Sequence, residues 1–93
     1  MITAVVMITT EPDKIPEAAQ AIAELDGITE VYSVTGEVDL IAITRVRRHE
    51  DLAEVIADHL SKTPGVLSTQ TFIAFQTYAR HDLEEAFSLG LED

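Results

Sequence analysis

The centre of the chain carries a hairpin signal in residues 31–43, which read Val31-Tyr32-Ser33-Val34-Thr35-Gly36-Glu37-Val38-Asp39-Leu40-Ile41-Ala42-Ile43. β-Branched and aromatic residues precede the turn, and an apolar run follows it, as is typical of two strands joined by a short loop. Gly36 stands where such a turn requires a positive φ angle. The stretch therefore predicts two antiparallel strands, over residues 29–34 and 39–46.

A strand and a helix flank this hairpin on either side. Alternating or β-branched residues predict strands, and apolar residues at helical spacing predict helices that end at Gly27 and at Thr63-Pro64-Gly65. The predicted strands are residues 2–9 and 66–78, and the predicted helices are residues 15–25 and 49–60. The order predicts an α+β, ferredoxin-like βαββαβ sandwich with a four-stranded antiparallel sheet and two helices on one face.

The third strand is apolar on both of its faces, because Leu40, Ile41, Ala42 and Ile43 follow one another without a polar residue. A sheet with one face in water should instead alternate apolar and polar side chains. Contiguous exposed apolar surface usually marks an interface. The sequence therefore predicts a homodimer formed through the open sheet face.

The end of the chain differs in composition from the rest. Residues 82–93 contain five acids and no Lys or Arg, and Asp82 with Glu85 forms a pattern resembling a capping box. A short C-terminal helix is predicted, with Phe87, Leu89 and Leu91 supplying an apolar side. We divide the chain into a domain at residues 1–79 and an acidic helical tail at residues 80–93. The tail is either a solubilising helix or an assembly element.

The charge of the chain argues against direct contact with nucleic acid. Seventeen acids and six bases give a formal net charge of −11, whereas phosphate binding depends on Lys and Arg. Arg45, Arg47 and Arg48 are the one cluster of bases, and we interpret them as solvated residues at a strand end, with a phosphate or protein contact as the alternative. No direct binding to DNA or RNA is expected.

Several kinds of site and location are excluded or disfavoured by residue content. The absence of cysteine excludes disulfides, thiolate catalysis and cysteine-ligated metals. His49, His59 and His81 lack the spacing of metal ligands, and no cofactor is expected. No basic segment precedes the first apolar run, and no run approaches the roughly 18 residues of a membrane helix. We expect a cytoplasmic protein without a membrane partner.

The turn at residues 35–39 has two interpretations. It is either a simple hairpin turn or a loop whose backbone amides and one carboxylate, that of Asp39, face a small polar ligand. A free amino acid offers an ammonium group and a carboxylate, which require an acidic acceptor and N–H donors respectively.

An ordered set of short motifs resembles the ligand-sensing domain of the Lrp/AsnC regulators, known as the regulation-of-amino-acid-metabolism domain. The resemblance runs from about Thr3 to Thr77, and its motifs are Val34-Thr35-Gly36, Asp39, Leu52, Leu60, Pro64-Gly65-Val66 and Thr69-Gln70-Thr71. It implies a dimer through the sheet face, often assembled into rings of dimers. It also implies an amino acid or similar metabolite bound between subunits, in a pocket lined by Thr35, Gly36, Glu37, Val38 and Asp39, with Thr69 and Thr71 on a second wall.

Full-length members of this family carry a helix-turn-helix domain before the sensing domain, whereas this chain begins at the first strand. A regulatory role would then require a partner, such as a full-length DNA-binding relative, or would consist of metabolite buffering. Three alternatives stay open: a cofactor-free dimeric α+β-barrel enzyme, an ACT-like amino-acid-binding module, and an interaction module without a ligand. The lack of a recognisable catalytic set argues against an enzyme, and the apolar sheet face argues against edge-to-edge ACT pairing.

Overall fold

The computed structural model describes residues 1–80, so the helix predicted from Asp82 lies outside the described part. The strands are β1 (Ile2–Thr10), β2 (Ile28–Ser33), β3 (Leu40–Val46) and β4 (Val66–Ile73), and the first helix is α1 (Ile15–Ala23), preceded by a 3-10 turn at Pro12–Lys14. The second helix, α2, begins at His49–Ala53 and continues through a π-helical turn at Glu54–His59 and a 3-10 turn at Leu60–Lys62.

The four strands form one antiparallel sheet in the order β2-β3-β1-β4. β1 and β3 occupy the centre, and Ile8 on β1 lies between Leu40 on β3 and Thr69 on β4. The predicted hairpin is present, since Ser33 on β2 pairs with Leu40 across the turn. The predicted ferredoxin-like α+β architecture is confirmed.

Both helices cover the same face of the sheet. Val6 and Ile8 on β1 and Leu40 on β3 point to this face and are fully buried. α1 contributes Ile22 to this cluster because its apolar residues recur at helical spacing, and Leu60 at the end of α2 joins them. A second cluster at the other end of the sheet contains Ala4, Val46, Leu52 and Val55.

The opposite face of the sheet is open, and apolar residues dominate its centre. Met7 on β1 and Ile41 and Ile43 on β3 are half-buried here, while Tyr32 on β2 and Phe72 on β4 are about half exposed, at 50% and 49%. The third strand therefore is apolar on both faces, as its sequence indicates. The helices account for one face only, and within residues 1–80 no helix packs on the other.

The last strand differs from its prediction in length. It ends at Ile73 and not at Tyr78, close to the start of its partner β1: Ala4 pairs with Ile73, and the amide of Ala74 donates to the Thr3 carbonyl at 2.9 Å. β1 begins at Ile2, so only that residue of β1 lies beyond this bond.

The last strand also differs in its alternation. A shift of register between Thr9 and Thr10 places Val66 opposite Thr10 and Ser68 opposite Thr9, so Leu67 is the extra residue of a β-bulge. Val66 therefore turns to the helix face, where it packs against the core.

Candidate functional site

Two backbone hydrogen bonds hold the base of the turn that joins β2 to β3. The Val34 amide donates to the Asp39 carbonyl at 3.1 Å, and the Asp39 amide donates to the Ile8 carbonyl at 2.9 Å. Gly36 has a φ of +118°, which confirms the positive angle expected from the sequence. No atom lies within 4 Å of the position that a Cβ would take at Gly36, so its backbone angle alone requires glycine.

The carboxylate of Asp39 has a structural partner. Its Oδ2 accepts a hydrogen bond from the Thr10 amide at 2.8 Å and lies 3.5 Å from the Thr10 hydroxyl. Thr10 is 3% exposed, so this bond satisfies a buried donor at the end of β1. Within residues 1–80, Oδ1 of Asp39 accepts no hydrogen bond, which leaves one oxygen available to a cationic donor.

At the tip of the turn, the backbone N–H groups have no acceptor within residues 1–80. Thr35, Gly36 and Glu37 are exposed, and Val38 is half-buried. The amides of residues 35–38 donate to no acceptor within the described part of the chain. Four N–H groups and one carboxylate oxygen therefore lie close together in sequence, an arrangement that suits a zwitterionic ligand.

The two threonines predicted for a second wall lie apart from this turn. Thr69 and Thr71 pair with Ile8 and Val6 and so point to the helix face of the edge strand β4. β1 separates Thr69 from Leu40, which puts the two Cα atoms about 10 Å apart at the usual strand spacing. One copy of the chain therefore does not bring the turn and these threonines into a single pocket.

Thr71 instead lines a small apolar groove between α2 and β4. The groove has a volume of about 220 Å³, and its lining residues are Leu52, Ala53, Ile56, Ala57, Thr71 and Ile73.

A larger cavity, of about 650 Å³, lies at the end of the sheet opposite to the turn. Gly27 at the start of β2 and Val46 at the end of β3 lie in its wall, and its polar lining consists of Glu24, Asp26, Arg47, Asp51, Glu54 and His59. Sequence reasoning missed this cavity, because it forms between the α1–β2 loop at residues 24–27 and the π-helical turn of α2 at Glu54–His59, which are far apart in sequence. The one sequence signal was Gly27, whose φ is +96°.

The side chain of His59 is held within that π-helical turn. Its Nδ1 lies 2.9 Å from the Glu54 carbonyl oxygen, which can only accept, so Nδ1 carries the proton in this contact. Across residues 1–80, no group of three His, Cys, Asp or Glu side chains is arranged to hold a metal ion.

The three clustered arginines have separate surroundings. Arg45 Nη1 donates to the Thr29 hydroxyl at 3.1 Å, and Arg48 pairs with Asp51 at 3.3 Å. Arg47 lies at the large cavity.

Within the part of the chain that the structure describes, no helix is long and apolar enough to cross a membrane.

The open sheet face has a polar edge along β2. Tyr32 donates its hydroxyl hydrogen to Glu30 Oε1 at 2.9 Å. This hydrogen bond is the main reason that the pKa of Tyr32 is raised above its ordinary value, with smaller contributions from desolvation and from the Glu30 charge. The tyrosine therefore stays neutral near pH 7 and offers a ring to any surface that covers the face.

Comparison with known proteins identifies the family of this architecture. The model of the Lrp/AsnC ligand binding domain matches residues 3–83. An uncharacterised HTH-type transcriptional regulator of Pyrococcus horikoshii is 35% identical over 78 residues, which cover 81% of this chain and 52% of the relative. The HTH-type transcriptional regulator FL11 of the same organism is 31% identical over 75 residues, covering 81% of this chain and 49% of the relative. The chain thus spans about half the length of these curated relatives.

Solved structures agree with this assignment. TTHA0845 of Thermus thermophilus superposes with a TM-score of 0.82 at 41% identity, covering 86% of this chain and all of the other. AsnC of E. coli superposes with a TM-score of 0.78 at 23% identity, covering 84% of this chain and 53% of the other, and so shares the fold. A transcriptional regulator of Neisseria meningitidis, solved as a complex with L-Met, does the same with a TM-score of 0.76 at 15% identity, covering 85% and 53%. Because the family match covers most of the chain and the curated relatives are named as transcriptional regulators, this chain belongs to the Lrp/AsnC ligand-binding domain family.

Proposed function

We propose that this chain is a non-enzymatic sensing domain that binds an amino acid or a related metabolite and acts in transcriptional or metabolic regulation. The observation that carries the proposal is the turn between β2 and β3, where the amides of residues 35–38 and Oδ1 of Asp39 lack partners in residues 1–80. A regulatory ligand-binding family supplies the setting for this turn.

The ligand chemistry follows from those groups. Oδ1 of Asp39 would accept from an ammonium group, and the amides around Gly36 would donate to a carboxylate. A hydrogen bond that involves a charged group contributes about 1.5–3 kcal/mol. A few such contacts correspond to a dissociation constant between about 1 µM and 1 mM, which is suited to sensing a metabolite.

We propose that a second copy of the chain completes the site. Thr69 and Thr71 lie on the far side of β1 from the turn, so they reach a ligand at residues 35–39 only if they come from a neighbouring subunit. The apolar open sheet face, with Ile41 and Ile43 at its centre, supports a homodimer as the basic unit. Dimers would assemble further into a ring, and a full-length DNA-binding relative would transmit the signal to a promoter.

A thermal-shift screen tests this function. A ligand that binds only the folded protein raises the melting temperature by mass action, by an amount that grows with ligand concentration. We expect at least one amino acid at millimolar concentration to do so, and L-methionine, which the Neisseria relative holds, is the first to test. The Asp39→Asn variant is the control and should show a smaller shift at the same ligand concentration. No shift with any amino acid or related metabolite would contradict the proposal.

A further inference from the structure

The small groove between α2 and β4 is an apolar surface on the helix side of the molecule that the described residues leave uncovered. Ala53 and Ala57 are exposed on its α2 wall, and Ile73 on its β4 wall is 49% exposed. Contiguous exposed apolar surface usually marks an interface. The groove has a volume of about 220 Å³, which is below the roughly 300–1,000 Å³ of small-molecule pockets. It therefore suits an apolar side chain of a partner better than a whole ligand.

The exposed side of α2 next to this groove is acidic. Glu50, Glu54 and Asp58 are exposed and recur every four residues along the helix, and within residues 1–80 none of them forms an ion pair. Lys62 at the end of α2 is the one Lys or Arg in the helix. An apolar groove beside unpaired carboxylates is complementary to an apolar anchor that has cationic groups around it.

The large cavity lies on the other side of α2. Residues of α2 line both spaces, since Ala53 faces the groove and Glu54 lines the cavity. Glu24 and Asp26 add two more carboxylates to the cavity, whereas Arg47 is the one arginine in its lining. A helix is about 10–12 Å across, and an extended chain advances about 3.3 Å per residue. Three or four residues of a partner therefore span α2 from the groove to the cavity.

We propose that the exposed side of α2 is a docking site for a basic peptide segment of a partner protein. A large apolar side chain of that segment fills the groove, and an Arg or Lys three or four residues away reaches the carboxylates of Glu54 and of the cavity. Proteins that bind DNA carry clusters of Lys and Arg, so a DNA-binding chain is the kind of partner that offers such a segment.

The proposed docking site is separate from the proposed ligand site. Ile73 of the groove pairs with Ala4 near the start of β1, whereas the turn at residues 35–39 is held by Ile8 and Thr10 near its end. The inference therefore goes beyond the proposed function, and its test needs no amino-acid ligand.

A fluorescently labelled peptide tests the docking site in the full chain. The peptide has about nine residues, with phenylalanine at its centre and arginine three positions to either side, a spacing that spans α2. We expect saturable binding in fluorescence anisotropy, weakened about tenfold or more when alanine replaces the phenylalanine. No saturable binding at millimolar peptide, or equal binding of the two peptides, would overturn the proposal.

Ala53→Lys tests whether the peptide occupies the groove. The substitution places a long cationic side chain on the groove wall, at an exposed helical position where lysine is tolerated. Ala21→Lys on the exposed side of α1 makes the same change of charge and is the matched control. We expect peptide affinity to fall about tenfold or more in Ala53→Lys and less than about twofold in Ala21→Lys. Equal losses would show that only the net charge attracts the peptide.

Glu54→Gln tests the contribution of the acids. It removes one carboxylate between the groove and the cavity, and Glu17→Gln on α1 removes one of the same exposure elsewhere. We expect peptide affinity to fall about two- to fivefold in Glu54→Gln and to stay near the parental value in Glu17→Gln. A peptide with glutamine in place of arginine should bind the parent and Glu54→Gln equally. Equal losses in the two variants would contradict a defined docking site.

Two other occupants of the groove are distinguished by the same lysine variants without peptide. A lower mass for Ala53→Lys than for Ala21→Lys in sedimentation velocity would show that a second copy of the chain fills the groove. A lower melting temperature at unchanged mass would show that another part of the same chain does so. Either result would overturn the proposal, which expects the same mass and the same melting temperature for both variants.

Discussion

The two carboxylate oxygens of Asp39 have different partners, and the proposed function concerns only one of them. Oδ2 satisfies the buried Thr10 amide, whereas Oδ1 is the proposed acceptor for the ligand's ammonium group. Asp39→Asn keeps an oxygen for Thr10 but removes the charge, so we expect ligand affinity to fall by about 10- to 150-fold with little loss of stability. Calorimetry with the ligand found in the screen measures the first effect and thermal melting the second. Parental affinity in the variant would make Asp39 a purely structural residue.

Asp39→Ala provides the contrasting case. It leaves the Thr10 amide buried without an acceptor, which costs about 1–3 kcal/mol. We therefore expect a lower melting temperature than for Asp39→Asn, measured by circular dichroism without ligand. An equally stable Asp39→Ala variant would show that water replaces the carboxylate at Thr10.

Two glycines have a positive φ, but an added Cβ would be crowded at only one of them. Comparing substitutions at the two positions therefore distinguishes backbone strain from steric crowding. Gly36 has open space at its Cβ position, whereas a Cβ at Gly27 would lie 2.8 Å from a methyl group of Val55. Gly36→Ala should therefore cost only the strain of its φ angle, about 1–3 kcal/mol, and Gly27→Ala should cost measurably more. Chemical denaturation of both variants measures the difference. Equal losses of stability would mean that Val55 moves aside without cost.

Gly36→Val adds β-branching to the same strain and should weaken both the fold and ligand binding, because the amides of the turn lose their arrangement. Calorimetry at a temperature where the variant stays folded separates the two effects. Unchanged affinity would show that the turn does not contact the ligand.

At the level of elements, the order of strands and helices could be predicted because each one carries its own local signal. Gly36 marked the hairpin, and the apolar spacing that places Ile22 in the core marked α1. The end of β4 could not be predicted, since the strand stops near the start of its partner β1 and not where its own β-favouring residues stop. For the same reason, the bulge at Leu67 was not predicted, as it depends on pairing with Thr9 and Thr10.

Only the part of the candidate site that is contiguous in sequence could be predicted. Residues 35–39 are contiguous, so a single motif located them, and the structure shows the free amides there. Thr69 and Thr71 face the helix side, on which α2 packs, and the role proposed for them requires contacts with another subunit. The large cavity joins residues far apart in sequence, and Gly27 was its one local signal.

The open sheet face is the element whose role is most directly testable. Ile43 is half-buried near the centre of this face, and it pairs with Glu30 on the neighbouring strand β2. Ile43→Glu would bury a charge in the proposed dimer and place it beside an existing acid, so we expect dissociation into folded monomers. Sedimentation velocity measures the mass, and circular dichroism checks the fold. Gln20→Glu on the exposed side of α1 adds the same charge and should leave assembly unchanged; dissociation of both variants would point to net charge as the cause.

For the whole molecule, assembly state follows from size as well as from the exposed face. A domain of 93 residues buries only about two-thirds of the surface of its unfolded chain, so pairing adds core that it otherwise lacks. Light scattering at micromolar concentration should give a mass of at least twice 10.2 kDa. A mass near that of one chain would remove the shared pocket from the proposed function.

The net charge of −11 governs what the assembled molecule contacts. Duplex DNA gains affinity from each phosphate that a Lys or Arg neutralises, and here Arg45 and Arg48 already bond Thr29 and Asp51 within the domain. Dimers or rings multiply the negative charge along with the surface. We therefore expect no retarded band in a gel shift with duplex DNA at sub-micromolar protein and physiological salt. A band that appears only when a full-length relative is added would agree with the proposed partner. A band with this chain alone would instead show that its arginines form a phosphate-binding surface despite the overall charge.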